Sequence, residues 1–290
     1  MTSAERFASP AAVSAGLAGT GYVADGHIAS VVHLADRLEK PVLVEGPAGT
    51  GKTQLAKAVA EMAGARLVRL QCYEGLDESK ALYEWNYRKQ LLRIQVDGDA
   101  SWPAVSDDIF AEEFLLARPL LEAIRADEPV VLLVDEVDRL EVETEALLLE
   151  VLSEHQVSIP ELGTVRATQV PRVFLTSNNS RELSEALKRR CLFLHLDYPT
   201  PERERAIVVA RVPGIADHLA DRVVAVVRSL RQLDLRKRPS VSETLDWARA
   251  LVLLGVDEVG AEQVRASLPV LLKYQADIVR AAKELALEGS

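Results

Sequence analysis

Cysteine, histidine and aromatic residues are all sparse in this chain of 290 residues, which carries two cysteines, five histidines and 5% aromatic content. Cys72 and Cys191 form no CxxC pair and have no neighbouring histidine cluster, so neither a disulfide framework nor a zinc site is expected. A basic excess is missing as well: 44 acidic against 34 basic residues give a formal net charge of -10. That balance argues against general affinity for nucleic acid or for an anionic membrane. The longest apolar runs, such as Val130 to Val134, are far too short to span a bilayer. The first residues are rich in Ala, Gly and Ser, but Glu5, Arg6 and Asp25 interrupt them and no sustained apolar core of a signal peptide forms. No internal repeat or low-complexity linker is present. These absences lead to the expectation of a cytoplasmic protein without membrane insertion, and 48% hydrophobic content suffices for one large domain plus a small one.

What is present is an alternation of short apolar runs and helical patterns. Residues 1 to 20 are expected to be mobile. Ile28, Val31, Val32, Ala35 and Leu38 fall on one helical face, and Pro41 to Glu45 then reads as a strand. Thr53 to Ala63 is helical, with Leu55, Ala56, Val59 and Ala60 at helical spacing. Further strands are predicted at Arg66 to Leu70, Val130 to Val134, Val173 to Thr176 and Leu192 to Leu196. Helices are predicted at Ala111 to Arg125, Glu143 to Glu154 and Ser180 to Lys188. A hairpin at about 156–170 is expected around Pro160 to Gly163. This order implies a mostly parallel α/β sheet flanked by helices over 21–198. From 199 to 290 only helical spacing remains, so a small all-helical domain is expected there.

Gly46-Pro47-Ala48-Gly49-Thr50-Gly51-Lys52-Thr53 satisfies G-x-x-x-x-G-K-[ST] in full, between a predicted strand and a predicted helix. Such a loop turns successive backbone N–H groups and the following helix N-terminus toward phosphate oxygens. Lys52 would reach the β- and γ-phosphates of ATP, Thr53 would ligate Mg²⁺, and Gln54 continues the cofactor-binding set. The run Val130 to Val134 delivers Asp135 and Glu136 at its carboxyl end, where open α/β sheets bind ligands. Asp135 would hold Mg²⁺, through water, and Glu136 would orient and polarise the attacking water.

These elements, with Thr176-Ser177-Asn178 and Ala186 to Arg190 in that order, resemble the AAA+ superfamily of P-loop NTPases over about 220 residues. Within it the chain resembles the MoxR group, and Leu70 to Asp77, Ala81 to Trp85 and Lys237 to Trp247 resemble its CoxD-like branch. The resemblance implies that Asn178 is the sensor-1 residue and that Arg190, or else Arg189, is an arginine finger acting on a neighbouring subunit. It implies that the helices after 199 form a lid and that Arg238 reaches back to the nucleotide, although Pro239 stands where the lid helix starts and Arg236 or Lys237 could serve instead. Tyr22 and Val23 match the segment that packs around adenine. An insert at about 76–105 is implied too; Tyr83, Trp85, Tyr87 and Trp102 could supply a protein-binding surface, a nucleic-acid stacking platform or a local core, with Asp97, Asp99, Asp107 and Asp108 counting against the second. The implied activity is ATP hydrolysis by a homo-oligomeric ring, a hexamer, that matures a client metalloenzyme alongside a von Willebrand factor A domain partner. For the CoxD-like branch the client is a molybdenum hydroxylase of the carbon monoxide dehydrogenase type. Two other classes stay open: another P-loop enzyme, a small-molecule kinase or nucleic-acid motor, and a non-hydrolysing nucleotide-binding scaffold.

Overall fold

The computed structural model describes residues 3–96 and 109–285. Its strands are β1 (Val42–Glu45), β2 (Arg66–Gln71), β3 (Tyr83–Trp85), β4 (Leu115–Ala117), β5 (Val130–Asp135), β6 (Gln156–Ile159), β7 (Gly163–Arg166), β8 (Arg172–Ser177) and β9 (Leu192–His195). Five of them form one parallel sheet in the order β2-β5-β8-β1-β9. Every residue of β5 is buried, because the sheet is covered on both faces. Val131 and Leu133 share one core with Val42, Val44 and helix Lys52–Ala63, whereas Leu132 and Val134 share the other with Leu43, Leu175 and helix Pro119–Ile124. Each such buried Val or Leu contributes about 1.5–3 kcal/mol. All five strands run the same way, so Glu45, Gln71, Asp135, Ser177 and His195 end at one edge of the sheet.

Several expectations are corrected. Residues 3–19 are not loose: Ser3–Arg6 and Pro10–Gly19 are helices, and Phe7, Val13 and Leu17 are buried in the sheet-facing core. Small residues there allow close approach, since a Cβ on Gly16 would stand 2.5 Å from Met62 Sδ. The single helix expected over 111–125 is instead a 3₁₀ turn at Glu112–Phe114, strand β4 and a helix at Pro119–Ile124. Pro119 lacks an N–H and biases Arg118 away from helix, so the helix begins there, while β4 pairs antiparallel with β3. Only Glu185–Lys188 of the expected helix over 180–188 forms, because Ser180, Arg181 and Ser184 are tied to Asp138 and Glu145 instead. Leu38, placed on the apolar face by its spacing, is exposed at the last turn of helix Gly26–Leu38.

In the insert, Trp85 packs edge-on against Tyr83 and Phe110 at 6.4 and 5.3 Å between ring centroids, a local core. Tyr87 is exposed, and Trp102 lies outside the described residues, as do Asp97, Asp99, Asp107 and Asp108. The hairpin β6–β7 packs on helix Val142–Glu154.

After β9 the described chain is helical: Pro201–Arg211, Asp217–Gln232, Val241–Leu253, Ala261–Leu271 and Gln275–Glu284 enclose a core of their own around Trp247. A buried pair fixes three of these helices. Arg231 donates through both terminal nitrogens to Glu204, at 2.6 and 2.8 Å, and Thr244 Oγ1 donates to the same carboxylate at 2.9 Å. Arg231 Nε also donates to the Pro239 carbonyl at 2.8 Å, which sets where helix Val241–Leu253 begins.

Candidate nucleotide site

The phosphate loop follows β1 and ends in helix Lys52–Ala63. Gly46 has φ 152°, and a Cβ there would lie 2.0 Å from the Leu196 carbonyl oxygen, so no other residue fits where the loop leaves the sheet. A Cβ on Gly49, at φ 74°, would lie 2.2 Å from Ser240 Oγ, the N-cap of helix Val241–Leu253. The loop is thus seated directly against the C-terminal helices.

Lys52 is buried and its ammonium caps the loop, donating to the Gly46 and Pro47 carbonyls at 2.7 and 2.8 Å and to Asn178 Oδ1 at 2.9 Å. Burial lowers its pKa, against the pull of Asp138 and Asp135. Thr53 Oγ1 donates to Asp135 Oδ1 at 2.9 Å, and Thr176 Oγ1 donates to the same oxygen at 2.5 Å. Arg69 Nη2 donates to Asp135 Oδ2, also at 2.5 Å. Glu136 turns into the left-handed region at φ 58°, held by its N–H donating to Thr176 Oγ1 at 2.9 Å, and its carboxylate pairs with Arg139 at 2.7 Å. Asp138 links this strand end to the next one: its Oδ2 accepts from the Asn178 N–H (3.2 Å), the Ser180 N–H (2.9 Å) and Ser180 Oγ (2.6 Å). Burial would raise the Asp138 pKa, but these hydrogen bonds outweigh it and hold the carboxyl below its ordinary value.

Lys52, Thr53, Arg69, Asp135, Glu136, Thr176 and Asn178 line a cavity of about 330 Å³ at the carboxyl edge of the sheet. A second cavity of about 200 Å³ adjoins it, walled by Tyr22, Val23, Ile207 and Leu245, and Gly49, Gly51, Gln54 and Ser242 border both. The first cavity is polar, with Lys52, Lys57 and Arg69 facing Asp135 and Glu136, and the second is more apolar although Arg203 and Arg211 border it, a division that suits a triphosphate and a base. Tyr22 is 7% exposed, and its hydroxyl is buried beside Arg203 without a hydrogen bond of proper geometry. Burial pushes its pKa up to about 12 despite that guanidinium. Arg203 itself donates to the Val23 carbonyl at 3.2 Å and to Asp25 at 2.8 Å.

No group of three or more His, Cys, Asp and Glu side chains able to hold a metal occurs among the described residues. Thr53 and Asp135 in contact still fit Mg²⁺, which keeps several waters and takes phosphate oxygens rather than an all-protein cage. Both cysteine thiols are pushed up to about 12, by burial first, which leaves them inert.

Of the residues anticipated from sequence, Ala48, Gly49, Gly51, Lys52, Thr53, Gln54, Asp135, Glu136 and Asn178 meet at the first cavity, and Tyr22, Val23 and Thr50 at the second. Arg238 does not join them: it is exposed and borders neither cavity. Arg236 stacks on Tyr274, and the Lys237 backbone N–H donates to Asp277. Arg190 is held away from the site by the Ser153 hydroxyl and by the Ala186 carbonyl at 2.8 Å. Sequence reasoning missed Arg69, Asp138 and Arg203, and it gave no role to Thr176 or Ser242 although both lie in motif stretches. Thr176 and Asp138 stand beside recognised motif residues and could have been flagged; Arg69 and Arg203 lie in ordinary strand and helix patterns that carry no such signal.

A phosphate loop after β1, an acidic pair after β5 and a polar strand end on β8 between them define a P-loop nucleotide-binding protein. Residues 41–191 match the AAA domain (dynein-related subfamily), and the chain belongs to that family. It is 26% identical over 259 residues to the denitrification regulatory protein NirQ of Pseudomonas aeruginosa, covering 86% of this chain and 90% of that one. An uncharacterized protein of Staphylococcus aureus is 25% identical over 225 residues, covering 74% of this chain and 76% of its own. Among solved structures, a point mutant of Thermotoga maritima RuvB aligns at 16% identity with a TM-score of 0.47, covering 88% of this chain and 67% of the other. No described helix is long and apolar enough to cross a membrane.

Proposed function

We propose that this chain is a Mg²⁺-dependent ATPase that works as a homo-oligomeric ring, a hexamer, and couples hydrolysis to remodelling or metal-cofactor maturation of a client enzyme. The observation that carries the reading is the meeting of Lys52, Thr53, Asp135, Glu136 and Asn178 at one cavity, with an apolar cavity of base size beside it. Lys52 exchanges the Gly46 and Pro47 carbonyls for phosphate oxygens. Thr53 and Asp135 would hold Mg²⁺, which when bound neutralises charge on the β- and γ-phosphates. Glu136 orients the attacking water once its carboxylate leaves Arg139, and Asn178 steadies that water or the γ-phosphate.

The finger is better assigned to Arg189 than to Arg190. The Arg189 side chain is 81% exposed with only a 3.9 Å contact to Glu185, whereas Arg190 is committed to its own chain. A finger supplied in trans makes turnover depend on assembly. Arg238 is not carried forward, since it borders neither cavity. Membership of the MoxR group and its CoxD-like branch, a von Willebrand factor A domain partner, a molybdenum hydroxylase client and a cytoplasmic location belong to the same reading. The motif stretches Leu70 to Asp77 and Lys237 to Trp247 support it, as does a relative named for regulating denitrification.

The test is specific ATPase activity against protein concentration, with sizing in ATP, for wild type, Arg189→Ala and Arg190→Ala. Activity should climb with assembly, and Arg189→Ala should form rings that bind ATP and turn over at least about 10³-fold more slowly. Activity independent of concentration and untouched by either substitution would mean a self-contained P-loop enzyme and end the ring reading.

A further inference from the structure

Strand register brings an arginine to the metal-binding carboxylate. β2 and β5 pair in parallel with Gln71 opposite Asp135 and Arg69 opposite Leu133, so these four side chains leave the same face of the sheet. From one register step back, Arg69 reaches Asp135 diagonally, and its Nη2 splits two hydrogen bonds between Asp135 Oδ2 and Gln71 Oε1, both at 2.5 Å. Asp135 Oδ1 is already shared by the Thr53 and Thr176 hydroxyls. Oδ1 is therefore fully occupied, Oδ2 carries the guanidinium, and the side chain is 5% exposed.

A carboxylate so withdrawn from water requires a counter-charge. Lys52 does not supply it by contact, since its three hydrogen bonds go to Gly46, Pro47 and Asn178. Among the described residues Arg69 is the cation hydrogen-bonded to Asp135. Arg69 also stands on the sheet's edge strand with about half its side chain in solvent, so it can swing out. Mg²⁺ dehydrates reluctantly and would meet such a carboxylate through its own waters, which need an acceptor. Oδ1 holds two hydroxyl donors, so the acceptor left for those waters is Oδ2, the oxygen that Arg69 occupies.

We infer that Arg69 is the counter-ion of Asp135 in the metal-free protein, and that Mg²⁺ arriving with a nucleotide competes with its guanidinium for that carboxylate. This rests on the Mg²⁺–nucleotide reading of the cavity and adds a positioning residue to it. Arg69 holds Asp135 in register until the metal arrives and sets the Mg²⁺ concentration at which nucleotide binds. A single Mg²⁺ requirement then reports a competition between two cations for one oxygen.

The test follows binding of a fluorescent mant-ADP by anisotropy while Mg²⁺ is titrated, for wild type, Arg69→Met and Arg69→Lys. Losing one charge-assisted hydrogen bond should lower the half-saturating Mg²⁺ about tenfold in Arg69→Met and by less in Arg69→Lys, with affinity at saturating Mg²⁺ unchanged. The apo protein should melt lower in Arg69→Met, and Mg²⁺ with nucleotide should restore more of the loss than it adds to wild type. A half-saturating Mg²⁺ that stays the same or rises overturns the inference, and so does lost affinity at saturating Mg²⁺, which would put Arg69 on the phosphates. If Arg69→Met fails to fold, Arg69→Lys alone must still show the fall. Wild type that binds no nucleotide at any Mg²⁺ concentration would sink the parent reading, a result separable from the others.

Discussion

Replacing Asp138 should separate the folding of the site from its chemistry. One buried oxygen of this side chain takes the Asn178 N–H, the Ser180 N–H and the Ser180 hydroxyl, and so ties the end of β5 to the end of β8. Asp138→Ala removes the acceptor from all three. Stranding a buried donor costs about 1–3 kcal/mol, but Asn178 is half-buried and Ser180 exposed, so water takes up part of the loss and the two N–H groups together set about 1–3 kcal/mol. Asp138→Asn keeps an amide oxygen for the N–H groups and gives up the charge, for about 1–2 kcal/mol. Urea unfolding of both variants reads these numbers directly. The pH dependence supplies an independent check. The folded pKa of Asp138 is depressed below its ordinary 3.8, so its contribution is present above that value and is lost as pH falls through the folded pKa. Wild type should therefore lose stability relative to Asp138→Asn below pH 3.8, with the two curves parallel above it. Loosening the Asn178 backbone should also lower kcat more than it weakens ATP binding. An Asp138→Ala variant within about 0.5 kcal/mol of wild type would refute the clamp, since that is the range of a surface substitution away from any such feature.

Three further outcomes are expected. Lys52→Ala should weaken ATP binding itself, because the ammonium that caps the loop is lost; isothermal titration against wild type measures it. Glu136→Gln should bind ATP within about twofold of wild type yet lose at least about 10²-fold in turnover, the size of a positioned acid–base group's contribution, so equal loss of binding in both variants would contradict the roles assigned. Tyr22→Phe deletes a buried hydroxyl that has no hydrogen-bond partner, and the apo protein should gain about 1 kcal/mol in urea unfolding.

The parallel sheet was legible because both its faces are covered: β1, β5 and β8 read as unbroken apolar runs, and β5 ends in the carboxylates that motif logic assigned. The phosphate loop was legible for a stricter reason, since Gly46 and Gly49 stand where a Cβ would meet another atom at about 2 Å. Helical spacing misled over 111–125, where strand pairing with Tyr83 to Trp85 outweighed the local pattern. It misled again over 180–184, where the backbone serves the buried carboxylates of Asp138 and Glu145 rather than its own helix. The Ala- and Gly-rich start looked loose because composition reports small side chains and not what they pack against; Gly16 meets Met62, forty-six residues further on. Arg69 and Arg203 were invisible for a related reason, as what matters in each is the residue across a strand register or across the base cavity.

The base cavity has one more consequence. Its apolar walls come from Tyr22 and Val23 before the family match over 41–191 and from Ile207 and Leu245 after it. The matched segment supplies all of the polar cavity's lining but Ser242, while the apolar part of the second cavity's wall lies in flanking sequence. Under the proposed nucleotide reading, substitutions at Tyr22, Val23, Ile207 or Leu245 should therefore alter which base is accepted without touching the matched segment.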